Sequence, residues 1–134
     1  MRLRLRSPSC VLLAAGLVVL TACTRQDARL QQHKEKFESL GATTRTIAEG
    51  WLSGALSETY THTAFAQTLQ LVEQERTALS AAPETLLDPR GATLSQQAEK
   101  LSRLLAQLIG DVRAADASGV RRHVAEIPIA PDRR

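Results

Sequence analysis

The sequence predicts an all-α protein, folded as a small antiparallel bundle of three long helices plus a short C-terminal helix. Ala, Leu, Gln, Glu and Arg dominate, whereas Val, Ile and aromatic residues are sparse, and this composition favours helix. No segment alternates apolar and polar residues as a half-buried strand would. Apolar residues instead recur at spacings of three, four and seven, which is typical of amphipathic helices. Because such helices cannot bury their apolar stripes alone, we expect them to pack antiparallel.

The first helix is predicted over roughly residues 27–53, ahead of Gly54, which is placed to end it. Its apolar stripe keeps the same phase across Gly41, so the pattern favours one helix, kinked at that glycine, over two helices. The stripe consists of Leu30, Phe37, Leu40, Thr44, Ile47 and Trp51.

The second helix is predicted to begin after Ser57, a favourable N-cap residue, with Glu58 in its first turn, and to end at Pro83. Arg76 lies on its apolar stripe. We expect the Arg76 guanidinium either to reach solvent or to pair with a carboxylate on a neighbouring helix. The other residues of the stripe are Phe65, Leu69, Val72 and Leu79.

The third helix is predicted over roughly residues 94–117, after a type I turn at residues 88–91 and a capping box at residues 93–96. Ser118 is predicted to cap a short fourth helix over residues 119–126, and residues 128–134 are predicted to form a loose tail. The residues expected to face inward are Leu94, Leu101, Leu104, Leu105, Leu108, Ile109, Val112, Ala115, Val120, Val124 and Ile127.

The net charge of +3 comes from the N-terminal segment. Arg2, Arg4 and Arg6 are three of the 17 basic residues, so 14 basic residues face 14 acidic ones from Cys23 onward. The chain has one Trp, one Tyr and two Phe residues. A neutral chain with so few aromatic side chains is not expected to bind nucleic acid.

Motifs for catalysis and cofactor binding are missing from the sequence. It has no Gly-x-Ser-x-Gly, no Gly-rich phosphate loop and no Cys-x-x-Cys-His, so we predict a non-catalytic protein without a cofactor. His123 and Glu126 have the three-residue spacing of bundle metal sites, but a di-iron bundle needs two such pairs. We therefore expect these two residues to lie on a solvated face.

A weaker candidate for a ligand site lies at the turn between the first two helices. Trp51 and Tyr60 flank this turn, and Glu58 and His62 are four residues apart, so they share a helix face. Together, with His33 as a further candidate, these residues could bind a small ligand, a haem or a metal. The interpretation we favour is that Trp51 closes the end of the core while Tyr60 packs with its hydroxyl in water.

Residues 1–22 have the arrangement of a secretory signal peptide, with arginines before an apolar run at residues 11–20. That run is shorter than the roughly 20 residues that span a bilayer. The next residues, Leu20-Thr21-Ala22-Cys23, resemble the lipobox of bacterial lipoproteins: a Leu, two small residues and a Cys. The alternative is an uncleaved spanning anchor.

The resemblance implies cleavage between Ala22 and Cys23 and attachment of a diacylglycerol to the sulfur of Cys23. Two acyl chains suffice for stable anchoring in a bilayer. Residues 23–27 would then be a lipidated tether and residues 28–127 the helical bundle. Because Thr24 rather than Asp follows Cys23, the resemblance further implies the outer membrane of a diderm bacterium, with the protein facing the periplasm. In a single-membrane bacterium the same anchor would lie on the cell surface.

Two functions are consistent with these features. The first is a lipid-anchored envelope protein, a non-catalytic helical module that acts as a protein-interaction or assembly accessory. Its partners would be the membrane, through the lipid anchor, and an unidentified envelope protein. The second is binding of a small ligand, haem or metal between the helices. The sequence leaves the oligomeric state open.

Overall fold

A computed structural model describes the backbone of residues 9–128 and the side chains of residues 24–128. Within these ranges the chain is all-helical, which confirms the predicted fold class. Its five helices are α1 (Ser9–Leu52), α2 (Glu58–Ser80), α3 (Pro83–Leu87), α4 (Pro89–Arg113) and α5 (Ala117–Ala125). Residues 1–8 of the predicted signal peptide and residues 129–134 of the predicted tail lie outside the described ranges, as do the side chains of Ala22 and Cys23.

Helix α1 is longer than the sequence predicted, and it passes Gly41 without a break. The residues of the predicted tether, 23–27, lie within α1. Two of these residues contact other helices through hydrogen bonds, Gln26 to α3 and Asp27 to α4. Gly54, with a φ of 77°, follows the end of α1 as predicted.

Helix α2 begins as predicted, because the Ser57 hydroxyl accepts a hydrogen bond from the backbone N–H of Tyr60 at 3.3 Å. It ends at Ser80, and Pro83 is instead the first residue of α3, a helix that the sequence analysis missed. The predicted alternative in which Arg76 pairs with a carboxylate on a neighbouring helix is wrong. Its guanidinium pairs at 2.9 Å with Glu73, one turn earlier on the same helix.

Helix α4 begins five residues before its predicted start. Asp88 is its N-cap residue and accepts from the Arg90 backbone N–H at 2.9 Å, while Pro89 occupies the first helical position. The predicted turn and capping box are therefore wrong. Thr93 lies inside the helix and donates its hydroxyl to the Pro89 carbonyl at 2.9 Å.

The predicted end of α4 and the predicted N-cap residue of α5 are also wrong. Helix α4 ends at Arg113, and Ala115 has a φ of 54° and is exposed rather than inward-facing. The N-cap residue of α5 is Asp116, whose carboxylate accepts from the Gly119 backbone N–H at 2.9 Å, and not Ser118.

The predicted apolar stripes meet in one core. Gly41 is buried with them, and a Cβ at that position would lie 3.4 Å from Ile127 Cγ2. Six of the residues predicted to face inward are only partly buried and pack at the edge of this core: Leu40, Ile47, Trp51, Leu69, Ile109 and Val124. The buried apolar residues are Leu30, Phe37, Ala48, Phe65, Val72, Leu79, Leu94, Ala98, Leu101, Leu104, Leu105, Leu108, Val112, Val120 and Ile127.

Side-chain contacts show how the long helices run past one another. His33 of α1 meets Glu75 toward the end of α2, and His62 near the start of α2 meets Arg113 at the end of α4. Helix α2 therefore runs antiparallel to both α1 and α4. Helices α1 and α4 run in the same direction, with Asp27 of α1 beside Arg90 in the first turn of α4. Helix α5 packs on both α1 and α4, and the Arg45 guanidinium donates to the Ile127 carbonyl just beyond it at 3.0 Å.

In the part of the chain whose side chains are described, no helix carries an apolar stretch long enough to cross a bilayer.

Candidate functional site

The four residues predicted to form a ligand site lie in different surroundings. Trp51 is half-buried and packs against the core, as in the interpretation we favoured. Glu58 is exposed in the first turn of α2, and Tyr60 is 58% exposed. His62 Nε2 lies 3.0 Å from Arg113 Nη2. Since a guanidinium only donates, Nε2 of this histidine accepts the hydrogen bond and its lone pair is engaged.

His33 takes part in a link between α1 and α2 that the sequence analysis missed. Its Nδ1 lies 2.5 Å from Glu75 Oε1, and Lys36 Nζ lies 3.1 Å from the other oxygen of the same carboxylate. Glu75 is only 9% exposed, so its charge is compensated by the groups of α1 that surround it. The signal was present in the sequence, because Glu75 lies on the apolar stripe between Val72 and Leu79.

His123 takes part in a second link, between α5 and α4. Its Nδ1 lies 2.6 Å from Asp111 Oδ2, and both side chains are mostly buried. The expectation that His123 lies on a solvated face is therefore wrong, although Glu126 is exposed. Gly119 permits the close approach, since a Cβ there would lie 2.8 Å from Asp111 Cγ. A side chain at this position would displace the carboxylates of Asp111 and Asp116.

Glu73 connects α2 to α4. Ser102 donates its hydroxyl to Glu73 Oε1 at 2.5 Å, and the Arg76 guanidinium donates to both carboxylate oxygens at 2.9 and 3.0 Å. The hydrogen bond from Ser102, followed by that from Arg76, lowers the pKa of Glu73 below its ordinary value of 4.5. The hydrogen bond from Ser102 of α4 makes this cluster a link between α2 and α4.

The lowered pKa of Glu73 predicts a loss of stability in acid. A depressed carboxyl pKa contributes stability above pH 4.5, and this contribution is lost as the pH falls through the lower pKa of the folded state. We expect Glu73→Gln to remove part of the acid-dependent drop in the free energy of unfolding, by less than about 1 kcal/mol because the side chain is half-exposed. Urea denaturation of the wild-type protein and of the variant, at neutral and at acid pH, measures this difference in the free energy of unfolding. An unchanged pH dependence in the variant would contradict the assignment.

Metal binding finds no support in the described part of the molecule. Among the residues that the structure describes, no group of three or more His, Cys, Asp or Glu side chains is arranged to hold a metal ion.

A groove of about 470 Å³ lies between α1 and α4. Leu30 and Leu94 form its apolar floor, and Asp27, Lys34 and Arg90 contribute charged groups to its rim. The Arg90 guanidinium bridges Asp27 at 2.6 Å and Asp88 at 2.7 Å. Hydrogen bonds from Arg90 lower the pKa of Asp88, and the two carboxylates raise the pKa of Arg90.

Helix α3 forms a corner beside this groove and presents apolar side chains to solvent. Its Thr85 is buried, whereas Leu86 is 38% and Leu87 is 85% exposed. Gln26 of α1 donates its side-chain amide to the Glu84 carbonyl at 3.1 Å, which holds the corner against the turns of α1 that follow residue 23.

Comparison with protein-family models, curated proteins and solved structures gave no match for this chain.

Proposed function

We propose that the protein is a lipid-anchored, non-catalytic helical module of the bacterial cell envelope that acts as a protein-interaction or assembly accessory. Acyl chains on Cys23 would hold it at the outer membrane, facing the periplasm. The domain would be an antiparallel bundle of α1, α2 and α4, with α5 as a short fourth helix covering one side.

The observation that carries this proposal is the lipobox-like sequence Leu20-Thr21-Ala22-Cys23. Helix α1 adds support, because it runs without a break from the position of Cys23 into the core. Gln26 contacts α3 and Asp27 contacts α4, so α1 makes tertiary contacts within four residues of the proposed acylation site. Three residues of helix span about 5 Å. The domain would therefore stand directly on its anchor, close to the bilayer. Confinement of this kind raises the effective concentration of the domain toward a partner in the same membrane.

The contacts of the histidines favour a structural module over the ligand-binding alternative. His33, His62 and His123 each meet a charged side chain of another helix. These contacts join α1 to α2, α2 to α4 and α4 to α5, which is the arrangement expected of groups that hold helices in register. Purified mature protein in detergent tests the alternative: stoichiometric metal or a haem absorption band would favour ligand binding over the module that we propose.

Replacing the proposed acylation site tests the anchor. We expect wild-type protein expressed in a diderm bacterium with a clickable fatty acid to be labelled and to sediment with membranes. Cys23→Ala should lose the label and accumulate as an uncleaved or soluble species, because the acceptor sulfur is gone. Cys10→Ala is the matched control, since this cysteine lies in the predicted leader and its loss should leave labelling unchanged. Unlabelled wild-type protein, or equal labelling of Cys23→Ala, would contradict the proposal.

A partner in the envelope is tested by crosslinking in intact cells, followed by purification from membranes. We expect the same envelope protein to be recovered with wild-type protein and to be lost with Cys23→Ala at equal expression. Recovery that does not depend on Cys23 would show that confinement at the membrane is not the mechanism.

A further inference from the structure

We propose that the α3 corner, residues Pro83–Leu87, rests on the bilayer surface and fixes the orientation of the anchored domain. This inference rests on the proposed acylation of Cys23. The occupant of the exposed leucine surface is the lipid leaflet that also holds the acyl chains.

The first line of argument is the chemistry of the corner. Helix α3 turns the hydroxyl side chain of Thr85 inward and leaves Leu86 and Leu87 at the surface, the reverse of ordinary burial. Leu87, at 85%, is the most exposed of the large apolar side chains described. Adjacent exposed leucines on a short, well-held helix are suited to insertion among lipid headgroups.

The second line of argument is the position of the corner. The Gln26 amide donates to the Glu84 carbonyl at 3.1 Å, and Arg29 lies 3.9 Å from the Glu84 carboxylate. Helix α3 is thus held beside the first turns of α1 that follow Cys23. Acyl chains on Cys23 and the side chains of Leu86 and Leu87 would lie at the same end of the domain. The bilayer that receives the acyl chains is then the apolar phase nearest to the leucines.

The charges at this end of the domain determine whether electrostatic attraction or insertion of the leucines holds α3 on the bilayer. Three arginines and three carboxylates surround the corner, so the local charge is balanced and attraction to anionic lipid is weak. The Arg90 guanidinium is engaged by Asp27 and Asp88. The Arg29 side chain is 64% exposed and can approach lipid phosphates while the leucines insert. These charged residues are Arg25, Asp27, Arg29, Glu84, Asp88 and Arg90.

A fixed orientation has a consequence for the partner. With α3 on the bilayer, the groove between α1 and α4 lies close to the membrane, and the turn at Gly54 lies at the opposite end. Residues 24–52 of α1 span about 40 Å. The domain would therefore present its Gly54 end to a partner at about 40 Å above the surface of the leaflet.

Tryptophan fluorescence quenching tests the proposal. The acylated mature protein, in a Trp51→Phe background, is reconstituted into phosphatidylethanolamine and phosphatidylglycerol vesicles that contain brominated lipid. We expect Leu87→Trp to be quenched several-fold more than Tyr60→Trp, an exposed aromatic position in the first turn of α2 at the opposite end. Circular dichroism establishes that both variants keep their helix content, which we expect because both positions are exposed.

The outcomes separate this proposal from the anchor itself. Mass spectrometry of the reconstituted protein is read first, and the absence of acyl chains on Cys23 would overturn both proposals. If Cys23 is acylated but Leu87→Trp and Tyr60→Trp are quenched equally, the α3 contact is wrong and the anchor stands. We expect the stronger quenching of Leu87→Trp, compared with Tyr60→Trp, to persist at raised salt. Its loss at raised salt would overturn the assignment of the leucines as the contact.

Discussion

Leu105→Asp is expected to unfold the helical domain. Leu105 is fully buried in the middle of α4, the helix that packs against the four others. An aspartate there would place a carboxylate in the apolar core without a partner, which costs more than about 4 kcal/mol. Since small domains are stable by only about 5–15 kcal/mol, most or all of the stability would be lost. Circular dichroism at 222 nm during a thermal melt measures the effect.

Leu87→Asp is the matched control for this substitution. It makes the same chemical change on α3, at a side chain that is 85% exposed. We expect the melting temperature in aqueous buffer to change by only a few degrees, because exposed substitutions alter stability by about 0.5 kcal/mol or less. A cooperative melt of Leu105→Asp similar to that of Leu87→Asp would show that the assigned inner face of α4 is wrong.

Gly91→Ala is expected to have the second largest effect. Gly91 is buried in the first turn of α4, where α3 crosses it. A Cβ at this position would lie 1.7 Å from the Thr85 carbonyl oxygen and 2.6 Å from its carbon. Because these are backbone atoms, the clash is relieved only by moving α3 away from α4. We expect a loss of about 3 kcal/mol in the free energy of unfolding, measured by urea denaturation.

Gly110→Ala provides the comparison for this substitution within the same helix. A Cβ at position 110 has no neighbouring atom within 4 Å. Alanine is the better helix former, so we expect this variant to gain up to about 1 kcal/mol. A loss of stability for Gly91→Ala together with a gain for Gly110→Ala would support the packing of α3 on α4. A gain in stability for both would contradict it.

The helix stripes were predictable because burial and periodicity act locally. Phe65, Val72 and Leu79 of α2, for example, are all buried as their spacing predicted. The start of α4 was not predictable, because Asp88-Pro89 suits both a type I turn and the N-cap and first position of a helix. The fold takes the helical alternative, in which Gly91 packs against the Thr85 carbonyl. That contact depends on the position of α3, which local patterns do not give.

The contacts of the candidate-site residues were likewise not predictable from local sequence patterns. His33 and Glu75 are 42 residues apart, so their contact depends on the register between α1 and α2. The sequence nevertheless signals that Glu75 has a partner, because a charged residue on an apolar stripe must be compensated. His123 was paired in the prediction with Glu126, a neighbour at helical spacing, whereas its partner Asp111 lies on another helix.

The lipobox is read from residues that precede the described side chains, and it stays a prediction. The described residues add a physical reason to test it, since α1 is helical through Thr24 and is tied to α3 and α4 by Gln26 and Asp27. An anchor at Cys23 would thereby determine where the whole domain stands.

Intact-mass spectrometry of the protein extracted from native membranes tests the central claim most directly. We predict a mature chain that begins at Cys23, with the mass of a diacylglycerol on its sulfur and a further acyl chain where the amine is modified. A chain that still carries residues 1–22, or one that begins at residue 23 with an unmodified sulfur, would contradict the account.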